Sequence, residues 1–375
     1  MVIDMNQRAD GMSIPADIEN LDDYERHAAL VMPAASWRHI QEGCGRGQAL
    51  AANRAAFDIY RLLPRWLAQV GEGSTAIELL GERYATPIFL APVAYQHLAH
   101  PEGELATVRA ATALGVSTVL STLSSVPMED VATASRGVAS ELGCAQSPLW
   151  FQLYFQESRD QSLSLIRRAE AAGYRAIMIT IDASMKRGGF QLPPGIEAAN
   201  LKGMTKAPQQ SGPQGAILFG TPLLNMAPTW ADIAWLQQQT RLPLIVKGIL
   251  APEDACLAIE HGADAIVVSN HGGRVMDDAP AALDLLPLVN EAIDGAVPLL
   301  IDGSIRSGSD IAKALALGAS AVLIGRPQLH ALAVAGLPGV AHMLHILRAE
   351  LELVMAQLGS SSPHDLKPDQ LFRTV

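Results

Sequence analysis

The chain of 375 residues predicts an α/β fold, a closed (β/α)8 TIM barrel. The first observation is a set of eight short apolar runs that each stop at a polar or glycine residue, as buried parallel strands do. The second is that most runs are followed by a helix-like stretch, and eight such units over about 240 residues close a barrel. The runs are Ile88–Ala94, Ser117–Thr122, Leu149–Phe155, Ala176–Asp182, Leu242–Lys247, the start of Ala265–Arg274, Pro298–Gly303 and Ala321–Arg326.

The segments around these runs are predicted in the same way. Residues 1–20 are expected to be an N-terminal tail, and residues 21–85 an N-terminal helical segment whose first turn carries Asp22 and Asp23, where a helix favours negative charge. Trp37 and His39 fall in a second predicted helix, which we expect to pack across part of the barrel mouth. One domain then comprises residues 21–375, with the barrel at 86–335 and C-terminal helices at 336–375. Clear helical stretches inside the barrel are Gly103–Ala113, Ser162–Ala172, Ala251–His261 and Gly308–Leu317.

The long segment Ala183–Thr229 is irregular and rich in Gly, Pro, Gln and Asn. A stretch of this length in a compact domain is usually a lid or is partly disordered. Because it leaves the fourth strand just after Asp182, it would cover the barrel mouth. A linker between domains is the alternative, but the barrel units resume immediately afterwards.

Composition excludes several classes of protein. Hydrophobic residues make up 49% and charged residues 17% of the chain, so it is not disordered. The net charge of −11 argues against nucleic acid or an anionic membrane as partner. We find no apolar run of about 18 residues and no leader, which predicts a soluble cytoplasmic protein. Cys44, Cys144 and Cys256 are too scattered for a disulfide framework or a zinc site, so no metal is predicted.

Reactive side chains stand where the predicted strands end. His271 and Arg274 share one loop, which places a base that titrates near neutral pH beside a permanent cation. A turn with a structural histidine and a surface arginine is the alternative for this segment alone. The carboxyl ends of barrel strands carry the chemistry of this fold. Similar groups end the other runs, namely Thr122, Gln152, Tyr154, Thr180, Asp182, Lys247, Asp302, Arg306 and Arg326.

The last two predicted strands indicate a phosphate site. Glycines and arginines follow them in Asp302–Gly308 and in Gly325-Arg326-Pro327. Loops at this point, with a helix N-terminus, bind phosphate in many barrels. No Gly-x-Gly-x-x-Gly after a strand and no Walker motif is present, which disfavours a nicotinamide or ATP fold. A phosphate site alone is also typical of sugar-phosphate enzymes.

Several motifs together resemble one family, the FMN-dependent L-2-hydroxy-acid oxidases and dehydrogenases, which includes glycolate oxidase, lactate oxidase and mandelate dehydrogenase. The resemblance extends from about Tyr24 to Phe372. It implies a TIM barrel, FMN as cofactor, a 2-hydroxy acid as the small-molecule substrate and a homotetramer. The motifs are Ser269-Asn270-His271-Gly272-Gly273-Arg274, Ala91-Pro92-Val93-Ala94, His100-Pro101-Glu102-Gly103-Glu104, Phe151-Gln152-Leu153-Tyr154 and Val246-Lys247-Gly248.

The resemblance also implies a role for each residue of the site. His271 would be the general base, held in one tautomer by Asp182, while Arg274 clamps the substrate carboxylate and Tyr154 bonds the substrate oxygen. Lys247 would stabilise the anionic reduced flavin. The product would be the 2-keto acid, with molecular oxygen as electron acceptor and peroxide released. The residues implied to hold FMN are Pro92, Val93, Ala94, Thr122, Gln152, Thr180, Lys247, Ser269, Asp302, Gly303, Ser304, Ile305, Arg306, Gly325 and Arg326.

Two departures from the family pattern concern the substrate. His39 stands where the family usually has a tyrosine that contacts the carboxylate. After Asp182 the chain reaches Phe190 with only seven intervening residues, and the expected arginine position falls on Gly189, so Arg187 becomes a candidate substrate contact. These changes favour a lactate-like or a bulkier aromatic, mandelate-like acid over glycolate.

Simpler interpretations and two rival functions stay open at this level. Asp182 could cap a turn and Tyr154 could be a core aromatic, whereas an idle Lys247 inside the barrel would be costly. Another FMN barrel enzyme, such as a type 2 isopentenyl diphosphate isomerase, would share the phosphate end but needs no carboxylate clamp. A flavin-binding protein without catalysis would explain His39 and the short loop, but would not need His271, Arg274 and Lys247.

Overall fold

Eight parallel strands form a closed barrel in the computed structural model, which describes residues 13–183, 190–204, 219 and 227–374. Each strand pairs with the next along the chain, and the last closes on the first through Val322 opposite Ile88. The predicted (β/α)8 barrel is confirmed. The strands are β1 (Ile88–Leu90), β2 (Ser117–Ser121), β3 (Trp150–Leu153), β4 (Ala176–Thr180), β5 (Leu244–Ile249), β6 (Ala265–Val268), β7 (Leu299–Asp302) and β8 (Ala321–Ile324).

The helices surround this barrel and extend it at both ends of the chain. The first begins at a capping box in which the side chain of Asn20 accepts from the backbone N–H of Asp23, and the Asp23 carboxylate accepts from that of Asn20. The helices are α1 (Leu21–Val31), α2 (Ala34–Gln41), α3 (Gln48–Asp58), α4 (Gly103–Ala113), α5 (Met128–Leu142), α6 (Arg159–Ala172), α7 (Trp230–Gln237), α8 (Pro252–Glu260), α9 (Ala282–Ile293), α10 (Gly308–Ala316) and α11 (Arg326–Gln357).

The N-terminal segment is helical only in its first half. After α3 ends, the chain forms a short strand at Tyr60–Leu62, paired with Leu371–Arg373, and a hairpin of Ile77–Leu79 with Glu82–Tyr84. The hairpin turn uses a left-handed backbone at Leu80 and Gly81, with φ of 52° and 75°. This differs from the helical segment predicted over residues 21–85, because the turn residues break the helical pattern.

The hairpin closes the amino end of the barrel. Tyr84 packs against Phe89 and Trp150, with ring centroids 4.8 and 6.1 Å away. The indole N–H of Trp150 donates to the Tyr84 hydroxyl at 3.1 Å, so the only polar atoms of this contact are paired. All three side chains are buried. The strand residues that face the barrel interior continue this apolar cluster, namely Val119, Met178, Ile245, Val267, Leu300 and Leu323.

Part of the segment predicted as a lid, residues 190–204, lies at the carboxyl end of the barrel. The Asn200 side chain donates to the Ser124 hydroxyl at 2.8 Å and accepts from the Met128 backbone N–H at 2.9 Å. The backbone N–H of Ala199 also donates to the Ser124 carbonyl. These contacts fix residues 190–204 beside the loop that follows β2. The remainder of the predicted lid lies largely outside the described residues.

The long helix α11 is the one described helix that is apolar and long enough to cross a membrane. However, 67% of its most apolar window is buried within the protein. Ala335 and Gly336 interrupt it with non-helical backbone angles, and it packs on α1, α4 and α10. We therefore interpret α11 as a core helix of the barrel.

Candidate active site

His271 and Asp182 meet at the carboxyl end of the barrel. Asp182 follows β4 and His271 follows β6, and the Nδ1 atom of His271 lies 2.8 Å from Asp182 Oδ1. Burial acts to raise the pKa of Asp182, but His271 and then Lys247 outweigh it, so that the pKa is lowered. The carboxylate therefore stays ionised at neutral pH and orients the imidazole.

The loop that carries His271 has an unusual backbone. His271, Gly272 and Gly273 are all left-handed, with φ of 57°, 63° and 73°. A β-carbon on Gly273 would lie 2.5 Å from the backbone nitrogen of Leu50 in α3. A non-glycine residue with positive φ is uncommon and costs free energy, so the surrounding structure must hold it.

Asn53 of α3 supplies that support. Its side-chain amide and that of Asn270 form a reciprocal pair, with N···O distances of 2.8 and 2.9 Å. Asn270 Oδ1 also accepts from the backbone N–H of Gly273 at 3.0 Å. Sequence analysis did not single out Asn53, although a fully buried asparagine on a helix must be hydrogen-bonded.

Lys247 lies buried in a three-membered polar network. Its ammonium is 2.7 Å from the Ser269 hydroxyl and 2.8 Å from Asp302 Oδ2, and Ser269 donates to Asp302 Oδ1 at 2.6 Å. Burial acts to lower the pKa of Lys247, but the carboxylates of Asp302 and Asp182 raise it above its ordinary value. A fixed positive charge is therefore held at the end of β5, inside the barrel. Gly248, with φ of 109°, keeps room for Asp182 there, since a β-carbon would lie 2.7 Å from Asp182 Cγ.

Gln152 and Thr180 present buried polar atoms that no described residue satisfies. The hydroxyl of Ser121 and the backbone N–H of Thr122 both donate to Gln152 Oε1 at 3.2 Å. Gln152 Nε2 and Thr180 Oγ1 have no partner within the described chain. Buried polar atoms are almost always paired, so this pattern indicates a ligand with both acceptor and donor atoms. It fits the polar edge of a flavin ring.

Two details of this region add to what the sequence suggested. The Thr122 hydroxyl donates to the Gln152 carbonyl at 2.6 Å and accepts from the Tyr154 backbone N–H at 3.1 Å, so it serves the barrel itself. Ser121 was not singled out, yet it orients the Gln152 amide. Its position next to Thr122, near the end of the apolar run Ser117–Thr122, was the available signal. Pro92, Val93 and Ala94 follow β1 and are half-buried at the same end.

The loops after β7 and β8 have the features of a phosphate site. Gly303 and Ser304 are left-handed, with φ of 108° and 59°, and α10 begins at Gly308. Arg54 donates to the Ser304 carbonyl at 2.9 Å and fixes this turn. The Arg306 guanidinium is buried, which lowers its pKa, and it lies 3.6 Å from the Glu25 carboxylate. The loops that carry Asp302 to Arg306 and Gly325 follow neighbouring strands, with Asp302 opposite Leu323. Their binding of a phosphate stays a prediction.

Arg274 and Arg326 both contact the end of α2. Arg274 donates to the carbonyls of His39, Ile40 and Glu42 at 2.8, 2.9 and 3.1 Å. Arg326 Nε donates to the Ile40 carbonyl at 2.9 Å. The loops after β6 and β8 are thereby joined to one helix.

Tyr154 lies among the charged groups of this site. Burial raises its pKa, Asp182 raises it further and Arg274 lowers it, so the hydroxyl stays protonated at neutral pH. Tyr154 and Arg274, predicted to bind the substrate, and Asp182, predicted to orient His271, are thus close enough for both charged groups to act on the Tyr154 hydroxyl.

His39 is on the last turn of α2 and stacks on Phe190. The ring centroids are 3.9 Å apart with an interplanar angle of 13°. Because Phe190 belongs to the segment after β4, this contact joins that segment to α2 over the barrel mouth. Arg187 lies outside the described residues.

Comparison with known proteins identifies the family. The FMN-dependent dehydrogenase family matches residues 28–373. The chain belongs to the FMN-dependent dehydrogenase family. It is 48% identical to an L-lactate oxidase of Alicycliphilus denitrificans over 96% of this chain and 97% of that protein. It is 38% identical to 2-hydroxyacid oxidase 1 of Homo sapiens over 90% and 92%.

Solved structures agree with this assignment. A crystal structure of mandelate oxidase with (S)-2-phenylpropionate superposes with a TM-score of 0.83 at 39% identity, covering 95% of this chain and 98% of the other. The predicted family, the FMN cofactor and the class of enzyme, an FMN-dependent 2-hydroxy-acid oxidase, are confirmed.

Proposed function

We propose that the protein oxidises an L-2-hydroxy acid, with L-lactate as the preferred substrate, to the 2-keto acid. The observation that carries this is the hydrogen-bonded pair of His271 with the ionised Asp182, which lies near Tyr154 and Arg274. Oxidation removes two electrons and two protons from the CH–OH carbon and its hydroxyl. FMN, when bound, supplies the acceptor for the two electrons.

His271 would take one proton of the CH–OH group. Because Asp182 holds Nδ1, Nε2 is the nitrogen that faces this task. The lowered pKa of Asp182 keeps a negative charge beside the imidazolium once it forms. This arrangement stabilises charge where it develops, which is how such a dyad accelerates proton transfer.

Arg274 would bind the substrate carboxylate. A guanidinium has five N–H donors, and three of them are used on α2 carbonyls in the described part of the chain. Two donors remain, the number that a bidentate carboxylate requires. Tyr154, whose raised pKa keeps its proton, would donate a hydrogen bond to the substrate oxygen.

Lys247 would stabilise negative charge on the reduced cofactor. Its raised pKa keeps the ammonium charged while it is buried next to Ser269. Gln152 Nε2 and Thr180 Oγ1 would complete their hydrogen bonds on the ring, and Arg306 with the turn at Gly303 and Ser304 would hold the phosphate.

Two observations support the proposed substrate class, namely the names of similar proteins and the side chains at the mouth of the barrel. The proteins at 48% and 44% identity are both named L-lactate oxidase. The His39–Phe190 stack places two rings beside α2 at the barrel mouth, and we infer that they favour a small side chain on the acid. An aromatic, mandelate-like acid is the second candidate, since the chain is 41% identical to a 4-hydroxymandelate oxidase of Amycolatopsis orientalis.

We also propose molecular oxygen as the acceptor that returns the cofactor to its oxidised form, with release of hydrogen peroxide. Support comes from the relatives, which are named oxidases. A cytoplasmic location and a homotetramer stay predictions, and light scattering on the purified protein tests the second.

The deciding experiment is anaerobic reduction of the purified yellow holoprotein by L-lactate, glycolate, L-mandelate and L-phenyllactate, with D-lactate as control. We expect L-lactate to bleach the flavin fastest and air to restore the colour with release of peroxide. Faster bleaching by L-mandelate would select the aromatic class. A flavin that stays yellow with every acid would contradict the oxidase and favour the non-catalytic alternative.

A further inference from the structure

One motif of the sequence, His100-Pro101-Glu102-Gly103-Glu104, ends in a buried carboxyl group. Glu104 lies in the first turn of α4 and is only 2% exposed. Its Oε1 atom accepts from the backbone N–H of Gln96 at 3.1 Å and from that of Ser125 at 2.8 Å. Gln96 belongs to the segment after β1 and Ser125 to the segment after β2, so one carboxyl oxygen joins these two segments.

Two further hydrogen bonds connect the same segments. The backbone N–H of Tyr95 donates to the Leu123 carbonyl at 3.0 Å, and that of His97 donates to the Ser125 hydroxyl at 3.3 Å. Three consecutive backbone N–H groups are therefore held by Glu104 and the segment after β2. Tyr95 has a left-handed backbone, with φ of 53°. A non-glycine residue keeps such a conformation only where its surroundings enforce it, and these hydrogen bonds do so.

Gln328 of α11 fixes the other side of the turn after β1. Its Nε2 atom donates to the carbonyls of Ala91 at 3.0 Å and Ile324 at 2.8 Å, beside the ends of β1 and β8. The Gln96 side chain donates to Gln328 Oε1 at 3.4 Å, which links these bonds to those of Glu104. All three polar side chains of this network are buried. Buried hydrogen bonds of this kind make the backbone that they contact rigid.

Between these two attachments lie Pro92, Val93 and Ala94, which are predicted to line the flavin. We propose that Glu104 is a positioning residue for this turn, and that its Oε1 atom thereby fixes the surface against which the cofactor ring binds. The essential property is the place of one acceptor oxygen and not a negative charge. Burial raises the pKa of Glu104 more than its hydrogen bonds from backbone N–H groups lower it, which favours the uncharged acid.

The test uses two substitutions that separate the place of the oxygen from the charge. Glu104→Gln keeps an acceptor oxygen at the same distance from the main chain without a charge, whereas Glu104→Asp keeps the carboxyl group on a shorter side chain. The affinity of each apoprotein for FMN is measured by fluorescence titration. The visible circular dichroism of each saturated holoprotein reports how the flavin is held. Neither measurement needs a substrate, so the result does not depend on the proposed oxidation of L-lactate.

We expect Glu104→Asp to bind FMN about fivefold or more weakly and to change the circular dichroism of the flavin, because Gln96 and Ser125 lose their acceptor. Glu104→Gln should stay within about twofold of the unmodified affinity and keep its spectrum. Thr112→Val is the matched control, since this buried hydroxyl lies at the far end of α4, 2.9 Å from that of Ser135. It should lower the melting temperature and leave both flavin measurements unchanged.

Normal FMN affinity and spectrum in Glu104→Asp, with only a lower melting temperature, would overturn the proposal, because Glu104 would then serve the fold alone. An equal loss in Glu104→Gln would also overturn it, since the charge would be the essential property. So would the same flavin changes in Thr112→Val. If Glu104→Asp does not fold, Gln328→Met decides. It releases the other side of the turn and should weaken FMN binding and change the spectrum, and normal values would contradict the proposal.

Discussion

The two ends of the same barrel are built on opposite principles. At the amino end, Tyr84, Phe89 and Trp150 form an apolar plug whose few polar atoms are paired. At the carboxyl end, Lys247 and Asp302 are buried as charges, and the His271 loop adopts an unusual backbone. The amino end therefore contributes mainly to stability. The carboxyl end holds reactive groups in arrangements that cost free energy, and the packing of the rest of the barrel offsets that cost.

The largest effect should come from His271→Ala at the carboxyl end. Loss of the proton acceptor should slow anaerobic flavin reduction by the acid by about 10²–10⁴-fold, the usual range for general base catalysis. The melting temperature of the holoprotein should stay close to that of the unmodified protein. His345→Ala, on an exposed position of α11, is the matched control and should reduce normally. A rate within about threefold of normal for His271→Ala would remove the histidine from the mechanism.

Trp150→Ala should lower stability and leave the reaction rate unchanged, the opposite of His271→Ala. Removing this buried ring from the plug should lower the free energy of unfolding by about 3–5 kcal/mol in urea titrations. The rate of flavin reduction in the folded protein should be unchanged, because the plug and the reactive groups are at opposite ends of the strands. A parallel loss of rate would show that the two ends are coupled.

His330, near the carboxyl end of the barrel, should make the folded protein less stable in acid. This side chain is fully buried in α11, and burial, Arg306 and Arg326 lower its pKa from 6.5 to about 3. The unfolded state therefore binds a proton that the folded state does not between these two pH values. The contribution of neutral His330 to the free energy of unfolding should be fully present above pH 6.5. Below that pH, the free energy of unfolding should fall by about 1.4 kcal/mol for each pH unit.

Urea unfolding of the apoprotein between pH 7 and pH 4 measures this slope. His330→Phe, which keeps an aromatic ring of similar size, should flatten the curve, and His345→Gln should leave it as it is. An equally steep curve for His330→Phe would assign the acid sensitivity to other groups.

The smallest effect is expected from Thr180→Val, which tests whether the Thr180 hydroxyl binds the cofactor or only supports the fold. Thr180→Val removes a buried hydroxyl that lacks a partner in the described chain, so the apoprotein should be as stable or up to about 1 kcal/mol more stable. Its affinity for FMN should fall by about fivefold.

Thr107→Val is the matched control, because the Thr107 hydroxyl donates to Gln96 Oε1 at 2.6 Å. That variant should lose about 1 kcal/mol of stability and keep its FMN affinity. Thr180→Val with lower stability and normal FMN affinity would mean that the hydroxyl is structural.

Much of the site could be predicted from the sequence because it depends on a local pattern. In a parallel barrel the residues at and just after the carboxyl end of each strand meet at one end of the barrel, so Asp182, Lys247 and His271 had to lie near one another once the strands were recognised. Ser121 and Asn53 were missed, since neither belongs to a motif and each acts by orienting another side chain. Asn53 and Asn270 are separated by 217 residues, a relation that periodicity does not contain.

The sequence by itself determined the barrel, because alternation of apolar runs and polar strand ends is a short-range property. Its motifs, through their resemblance to one family, determined the family and the FMN cofactor. Only the tertiary structure decided which partner each side chain takes. It placed a hairpin as the plug in the predicted helical segment, and it turned the Arg326 guanidinium to the carbonyls of α2. The physical reason is that hydrogen-bond partners are chosen by proximity in space, and here the partners come from elements far apart along the chain.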